Sequence, residues 1–288
     1  MRSHTWAIAF IVIAHAPTAY AQDSRGSSAS FSPGAREDIG TFRPYWGAGD
    51  ARPFMAVTFE TAGIAGRTQL DLGYGKPHHQ WAGVEFNTQI SLRSLSEFLG
   101  VRATAPWGTV RFGPRFVTQY SQRLIEKKDT VTRTDLDQDE GLRSHYLALD
   151  ADANFSIPLP VGSLGVGLFA SGIFGVEEGY FVMEDSLRVP IDPPFVGRAR
   201  LSYLAGIGVP ATLRVGGVFE VIINPERELV NLRTGPAVAV SLTHHLEAVG
   251  VAAFSIFNPD EIGLAGSDVG QIGLRYKWAT GDLWPDFP

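Results

Sequence analysis

The chain has 288 residues, no cysteine and a formal net charge of −6, and 44% of its residues are hydrophobic while 19% are charged. This composition excludes intrinsic disorder, which requires low hydrophobicity together with high net charge. The negative net charge provides no electrostatic basis for binding nucleic acid. The lack of cysteine excludes thiolate metal sites, cysteine nucleophiles and disulfide scaffolds, and we expect no cofactor.

The N-terminal segment has the pattern of an export signal. Arg2 supplies a positive start, a short apolar run follows, and an A-x-A cleavage site ends at Ala21. We predict a cleaved signal peptide at 1–21 and a flexible leader at 22–51, which is rich in Ser, Gly, Asp and Arg. Because an exported chain without cysteine cannot use disulfides, it must be stabilised by a large core or by a membrane.

From Arg52 onward, polar and apolar residues alternate with a period of two, which predicts strands with two different faces. In the last segment, for example, Leu274 and Tyr276 share one face while Gly273 and Arg275 share the other. The predicted strands cover 52–61, 67–75, 81–93, 98–105, 108–122, 144–158, 163–175, 198–208, 211–223, 230–243, 246–257 and 268–279.

The connections between these strands fall into two groups. Tight turns follow the even-numbered strands, whereas the longer and more charged connections follow odd-numbered ones, with two short exceptions at 62–66 and 94–97. This sorting of loops is typical of a transmembrane β-barrel. The fold class we predict is therefore all-β, a single antiparallel barrel of about twelve strands at 52–279, and the alternative is a secreted soluble β-sandwich.

One stretch, 157–176, has no charged residue and is long enough for a membrane helix. Pro158 and Pro160 oppose a helix, and the apolar residues that follow alternate with glycines at a period of two. We therefore favour a strand, a tight turn and a second strand.

The last predicted strand contains the polar-x-Gly-x-x-hydrophobic-x-hydrophobic pattern by which β-barrels are presented for membrane insertion. The pattern consists of Gln271, Gly273, Tyr276 and Trp278. With the signal peptide and the twelve strands, the chain resembles a porin-like outer-membrane β-barrel of Gram-negative bacteria. The resemblance implies the outer membrane as location, and membrane lipid and the barrel-insertion machinery as partners. The chain departs from the usual terminal aromatic by continuing into a C-terminal tail at 280–288.

The lumenal faces of the predicted strands carry many charges, which favours a narrow porin-like channel or a binding barrel for small polar or anionic solutes. The predicted lining residues are Arg102, Arg111, Arg115, Arg214, Arg275, Asp150, Asp152 and Glu220. The preference for anions depends on arginines outnumbering acids in this assignment. The same charges could instead pair between neighbouring strands, as Arg115 could with Asp150 or Asp152.

The number of strands does not decide whether the lumen is filled by side chains or by water. Twelve lies between the filled barrels of eight strands and the aqueous channels of sixteen or more. A plugged structural or surface-binding barrel without transport is therefore an alternative to a channel. The leader at 22–51 or an infolded loop would be the plug.

A loop and a strand contain residues that could form a metal site or a catalytic pair. Asp135, Asp137 and Asp139 alternate as calcium ligands do, but the EF-hand pattern is lacking. We therefore favour a solvated acidic loop and expect no metal. We also expect no enzymatic activity. The enzymatic alternative is a resemblance to the twelve-stranded outer-membrane phospholipases, which use Ser, His and Asn on the barrel wall. Here the adjacent Ser144 and His145 would point to opposite faces of a strand.

Overall fold

The structure is a computed structural model that describes residues 43–62, 65–137, 141–184, 186–207, 213–268 and 273–281. The predicted signal peptide, most of the leader and the end of the C-terminal tail lie outside these ranges. So do Gln271 and Asp139 among the predicted site residues.

Within these ranges the chain forms sixteen strands. They are β1 (Arg52–Ala62), β2 (Ala65–Lys76), β3 (Gln80–Ile90), β4 (Ser94–Ala105), β5 (Gly108–Arg123), β6 (Ile125–Glu126), β7 (Arg143–Leu159), β8 (Gly162–Phe174), β9 (Tyr180–Glu184), β10 (Val189–Ile191), β11 (Phe195–Ile207), β12 (Leu213–Asn224), β13 (Leu229–Ser241), β14 (Leu246–Val251), β15 (Phe254–Phe257) and β16 (Gly273–Ala279). Two short helices, α1 (Arg43–Gly47) and α2 (Arg133–Leu136), and two 3₁₀ turns, Pro225–Arg227 and Gly263–Gly266, complete the described elements.

Thirteen of these strands form one antiparallel sheet that closes on itself as a barrel. β1 pairs with β16, and β12 pairs with β13, so both ends of the strand order are joined. β14 and β15 share one position in the wall, since both pair with β13, and the barrel therefore has twelve positions. The other three strands, β6, β9 and β10, form a separate small sheet.

The twelve predicted segments each overlap one position of the wall, so the predicted fold class is confirmed. The uncharged stretch at 157–176 belongs to β7 and β8, which are joined by a turn at 160–161, and the helical alternative is wrong. In the described part of the chain, no helix has the length and apolar character needed to cross a membrane.

The two rims of the barrel carry different connections. On one, which we call the turn rim, the connections are 77–79, 106–107, 160–161 and 242–245. The opposite one, the long-loop rim, carries the two extended connections 124–142 and 175–194 and the partly described 258–272. In membrane barrels of bacteria the short turns face the periplasm and the long loops face the exterior.

Polarity across the wall is the reverse of that in a soluble protein. On β5, Arg111 and Arg115 are buried inside the barrel, whereas Phe112 and Phe116 are about half exposed on its outer surface. The same alternation recurs around the wall, with large apolar side chains outside and charged or amide side chains inside. A soluble sandwich would bury its apolar face, so this alternative is wrong. In lipid, a closed sheet pairs all of its backbone N–H and C=O groups internally, and its apolar exterior faces the hydrocarbon.

We expect a charge on the outer surface to destabilise the barrel in lipid. Leu99 lies near the middle of β4 and is 54% exposed. Leu99→Arg should lower the free energy of unfolding by about 2–4 kcal/mol in guanidinium titrations in lipid vesicles. Leu264→Arg is the matched control, because Leu264 is 74% exposed in a 3₁₀ turn of the long-loop rim and should tolerate the change. Equal effects of the two substitutions would contradict the membrane orientation.

Candidate functional site

The strand register places opposite charges side by side inside the barrel. Glu60 on β1 lies opposite Arg67 on β2 and opposite Arg275 on β16. Both guanidiniums contact its carboxylate, Arg67 at 3.5 Å and Arg275 through Nε at 2.5 Å. Arg275 and Lys277 also approach Glu247 on β14, at 3.4 and 3.2 Å. Adjacent strands thus form a belt of alternating charge along this part of the wall.

Glu85 on β3 is the centre of a second cluster. Its side chain is fully buried, and its two carboxylate oxygens each accept a hydrogen bond at 3.1 Å, from Nη1 of Arg111 and Nη1 of Arg102. Arg67 approaches the same carboxylate at 3.7 Å. Since Arg102 and Arg111 lie directly opposite each other on β4 and β5, this single carboxylate separates two neighbouring like charges.

Across the lumen, Glu220 on β12 has an equivalent role. It accepts hydrogen bonds from Arg200 on β11, with the Nε–Oε1 distance at 2.7 Å, and Arg198 and Arg233 lie at 3.6 and 4.0 Å. Arg200 also approaches Asp268 at 3.6 Å. The three basic residues and the two acids form one buried network.

A third cluster joins the wall to a long loop. Arg115 on β5 is held by Asp150 on β7 through Nε at 2.6 Å and Nη2 at 3.3 Å, which is one of the pairings anticipated from the sequence. The remaining terminal nitrogen, Nη1, contacts Glu184 of β9 at 2.7 Å. Tyr146 on β7 donates its hydroxyl to the same Glu184 carboxylate at 3.3 Å.

The strands β9 and β10 form a hairpin, which we call the plug hairpin (180–191), that folds into the barrel from the long-loop rim. One face packs against inward residues of β5, β7, β8, β11 and β12. The buried cluster comprises Val182, Leu187, Val189 and Ile191 of the hairpin and Val117, Tyr146, Ala148, Phe169, Ile173, Val196 and Ile222 of the wall. The infolded loop that the sequence left as an alternative is therefore present at this mouth.

The other long connections close over the plug hairpin. Phe181 and Met183 pack against Ile125, Val131 and Ile262 from these connections. Arg227 lies 4.4 Å from the centre of the Phe181 ring and forms two hydrogen bonds, at 2.8 and 2.7 Å, with Asp260. Asp260 also accepts a hydrogen bond from the Val131 amide at 3.0 Å, so the loops are fastened to one another.

The opposite mouth is narrowed by α1. Trp46 is buried with Phe54, Trp81 and Ala279, and its indole Nε1 donates to the carbonyl of His244 at 3.0 Å. The ring of His78 lies 4.5 Å away in an edge-on arrangement. The last residues of the segment interpreted as a leader thus dock on the turn rim.

All eight predicted lining residues lie inside the barrel and are buried, and the ion pairs described above involve Arg102, Arg111, Arg115, Arg275, Asp150 and Glu220. Asp152 accepts a hydrogen bond from Asn154. Arg214 lies on β12 near the turn rim. The four arginines of these ion pairs lie within ion-pair distance of acids on other strands, which favours the salt-bridging interpretation of their arrangement.

Five charged members of these clusters were not assigned to the lumen from the sequence: Arg67, Arg198, Glu247, Asp268 and Glu184. Arg67, Arg198 and Glu247 stand at the edges of predicted strands, where the alternation still assigns them to the inner face. Glu184 lies in a long connection, and no local pattern indicates that it enters the lumen. On the described wall strands, ten basic and seven acidic residues are buried. Glu184, Asp260 and Asp268 from the long connections raise the number of buried acids to ten.

The acidic loop has a local structural role at its first carboxylate. Asp135 receives hydrogen bonds from the amide and hydroxyl of Thr132, both at 2.7 Å, at the start of α2, and pairs with Lys128. Burial alone would raise the pKa of Asp135, but these contacts outweigh it and lower the pKa. Asp137 lies 3.9 Å from Arg133. In the described ranges, no three His, Asp or Glu side chains are arranged to hold a metal ion.

Two other predicted groups lie where the strand alternation places them. Ser144 is buried inside the barrel and His145 is exposed outside it, so the two side chains point to opposite faces. Gly273, Tyr276 and Trp278 of the insertion pattern lie in β16, whose partner is β1. The role of this pattern in insertion stays a prediction.

Closure, the unequal rims and the reversed polarity together decide the architecture. The fold is that of an outer-membrane β-barrel. No protein-family model matches the chain, and no curated protein is detectably similar.

Solved outer-membrane proteins are similar to the barrel at low identity. The NanC porin has a TM-score of 0.34 at 10% identity, over 80% of this chain and 100% of that one. Omp33 from Acinetobacter baumannii has a TM-score of 0.36 at 11% identity, over 80% of this chain and 98% of that one. The translocator domain of NalP from Neisseria meningitidis has a TM-score of 0.33 at 12% identity, over 81% of this chain and 88% of that one. These values describe general architecture, and no function is inferred from them.

We expect Glu85 to be essential for the stability of the barrel, because without its charge Arg67, Arg102 and Arg111 would be buried together. Glu85→Gln should destabilise by about 3–5 kcal/mol, the usual cost of removing one partner from a buried ionic cluster. Glu97→Gln on β4 is the control, since Glu97 is exposed. Denaturant titration in vesicles measures both, and a loss below about 1 kcal/mol for Glu85→Gln, the range of exposed pairs, would contradict this role.

Proposed function

We propose that the chain is a narrow channel of the Gram-negative outer membrane, exported by its signal peptide, that passes small polar or anionic solutes and is held closed by the plug hairpin. The observation that carries this proposal is the position of Glu184, a loop carboxylate buried on Arg115 inside the barrel. An insertion that only filled space would need apolar contacts alone.

The nature of the contact supports a reversible closure. A buried ion pair adds little net stability compared with apolar packing of similar volume, because desolvation offsets the attraction between the charges. Such a pair does define where the hairpin sits, since a misplaced hairpin would leave both charges buried without partners. The Glu184–Arg115 pair therefore suits a hairpin that leaves and returns to one position.

The distribution of charge supports a preference for anions when the hairpin is withdrawn. The wall strands carry ten buried basic residues against seven buried acids, and carboxylates of the long connections reduce this excess. Withdrawal of Glu184 removes one of them and restores positive potential near Arg115. A positive lumen lowers the electrostatic barrier for anions.

A plugged structural or surface-binding barrel without transport is the second candidate. It is favoured by the plug hairpin, which fills one mouth, and by Trp46 of α1, which narrows the other. We also propose that the barrel has no hydrolase activity, supported by the divergent orientation of Ser144 and His145. Release of fatty acid from phospholipid vesicles by the purified protein would overturn that proposal.

Current recordings in planar bilayers distinguish the channel from the plugged barrel. Glu184→Gln should raise the ratio of open to closed time about 10–100-fold, because hydrogen bonds to a charged group contribute about 1.5–3 kcal/mol. A salt gradient should then give a reversal potential that indicates anion selectivity.

Glu178→Gln is the matched control, because it makes the same charge change at an exposed position of the same connection and should behave as the parent. If Glu184→Gln inserts stably and stays silent, the channel is wrong and the plugged barrel is favoured.

A further inference from the structure

Three hydrogen-bond donors of the neighbouring strands β5 and β7 contact the plug hairpin around Glu184. Arg115 Nη1 and the Tyr146 hydroxyl contact the same oxygen of Glu184, at 2.7 and 3.3 Å. Gln119 Nε2 donates to the main-chain carbonyl of Met183 at 2.6 Å. All three side chains are buried, and each contacts an oxygen atom of the hairpin.

The strands that carry the donors, and the side chain of Arg115, are held in place independently of the hairpin. They lie on the paired strands β5 and β7, where Val117, between Arg115 and Gln119, is the register partner of Tyr146. Asp150 binds Nε and Nη2 of Arg115, and Asp150 is itself held by the Ser171 hydroxyl at 2.7 Å. The guanidinium is therefore oriented by the wall, with Nη1 directed at Glu184.

Withdrawal of the hairpin would take these oxygen acceptors away. Buried donors that lose an acceptor are costly, and the cost is larger for a charged donor such as Arg115. A solute that brings a carboxylate restores the same contacts, because it presents oxygens of the same charge and spacing as Glu184. The neighbouring carboxylate of Asp150 opposes a dianion such as phosphate, so a monoanionic carboxylate fits this site better.

We propose that Arg115, Tyr146 and Gln119 form a binding site for carboxylate solutes, and that Glu184 occupies this site as an internal ligand when the channel is closed. A carboxylate solute then competes with Glu184 and shifts the hairpin toward its withdrawn position. This inference rests on the proposed channel function and specifies the substrate class and the opening mechanism.

Chemical rescue of Glu184→Ala tests the site with acetate as the probe. The substitution removes the internal carboxylate but keeps the wall donors, so acetate should stabilise the variant saturably in thermal unfolding in neutral detergent. Acetamide, which has the same shape without the charge, should have at least about tenfold weaker effect, since it lacks the charge-assisted bond. Wild type, whose site is filled, should respond to acetate only weakly.

Substitutions of the donors assign the effect to this site. In the Glu184→Ala background, Tyr146→Phe should weaken the acetate response several-fold, and Arg115→Met should abolish it. Glu178→Ala is the matched control for Glu184→Ala and should respond to acetate as weakly as wild type. An acetate effect of equal size in wild type, Glu184→Ala and Glu178→Ala, or no saturable effect in Glu184→Ala, would overturn the proposal.

A measurement on wild type covers the case in which Glu184→Ala fails to fold. Arg188 lies in the turn of the plug hairpin, so trypsin should cleave after it only when the hairpin is withdrawn. Acetate should accelerate this cleavage relative to chloride at equal ionic strength, and an unchanged rate would overturn the competition. Neither acetate binding nor trypsin cleavage requires that the barrel conduct ions. A failure of the carboxylate site is therefore distinguishable from a failure of the channel proposal, which the bilayer recordings test.

Discussion

In the hydrocarbon of a membrane, a backbone N–H or C=O group without a partner costs several kcal/mol, and this constraint governs the whole molecule. The chain satisfies it by closing twelve wall positions into a barrel, in which β1 meets β16 and β12 meets β13. Closure also decides where side chains go. Apolar residues such as Leu99 face lipid, and the alternate positions must face a lumen from which lipid is excluded.

The lumen is where this constraint has its chemical consequence. Charged residues that lie inside a barrel of this size are removed from most of the solvent, so they require partners. The register supplies them: Glu60 lies between Arg67 and Arg275, and Glu220 lies between Arg200 and Arg233. The same pairs that make the interior compatible with burial also occupy part of the lumen. Transport through such a lumen depends on an element that can move without breaking the wall.

The plug hairpin has the properties of such an element. It belongs to a connection and not to the wall, so its displacement leaves the closed sheet intact. Its apolar residues pack on the wall, and its buried carboxylate, Glu184, is bound by Arg115, which the wall itself orients. Fastening of the other loops through Arg227 and Asp260 covers it from outside. In the proposed channel, opening would therefore involve the long-loop rim as a unit, and the charge of the wall would determine which solutes pass.

The local alternation of polar and apolar residues determined the strands of the barrel wall. A period of two in polarity identifies strands and their faces, which is why the twelve positions and the inward arginines were predictable, and why Arg115 could be matched to Asp150 on the next wall strand. Residues at strand edges were missed: Arg67 and Glu247 stand at the beginning of their predicted strands, although the alternation assigns both to the inner face. Only the tertiary structure decided that the connection at 175–194 folds inward and brings Glu184 to Arg115, since 69 positions of chain separate the two. Such a contact depends on the packing of an entire loop against the closed wall, and no spacing within the loop indicates it.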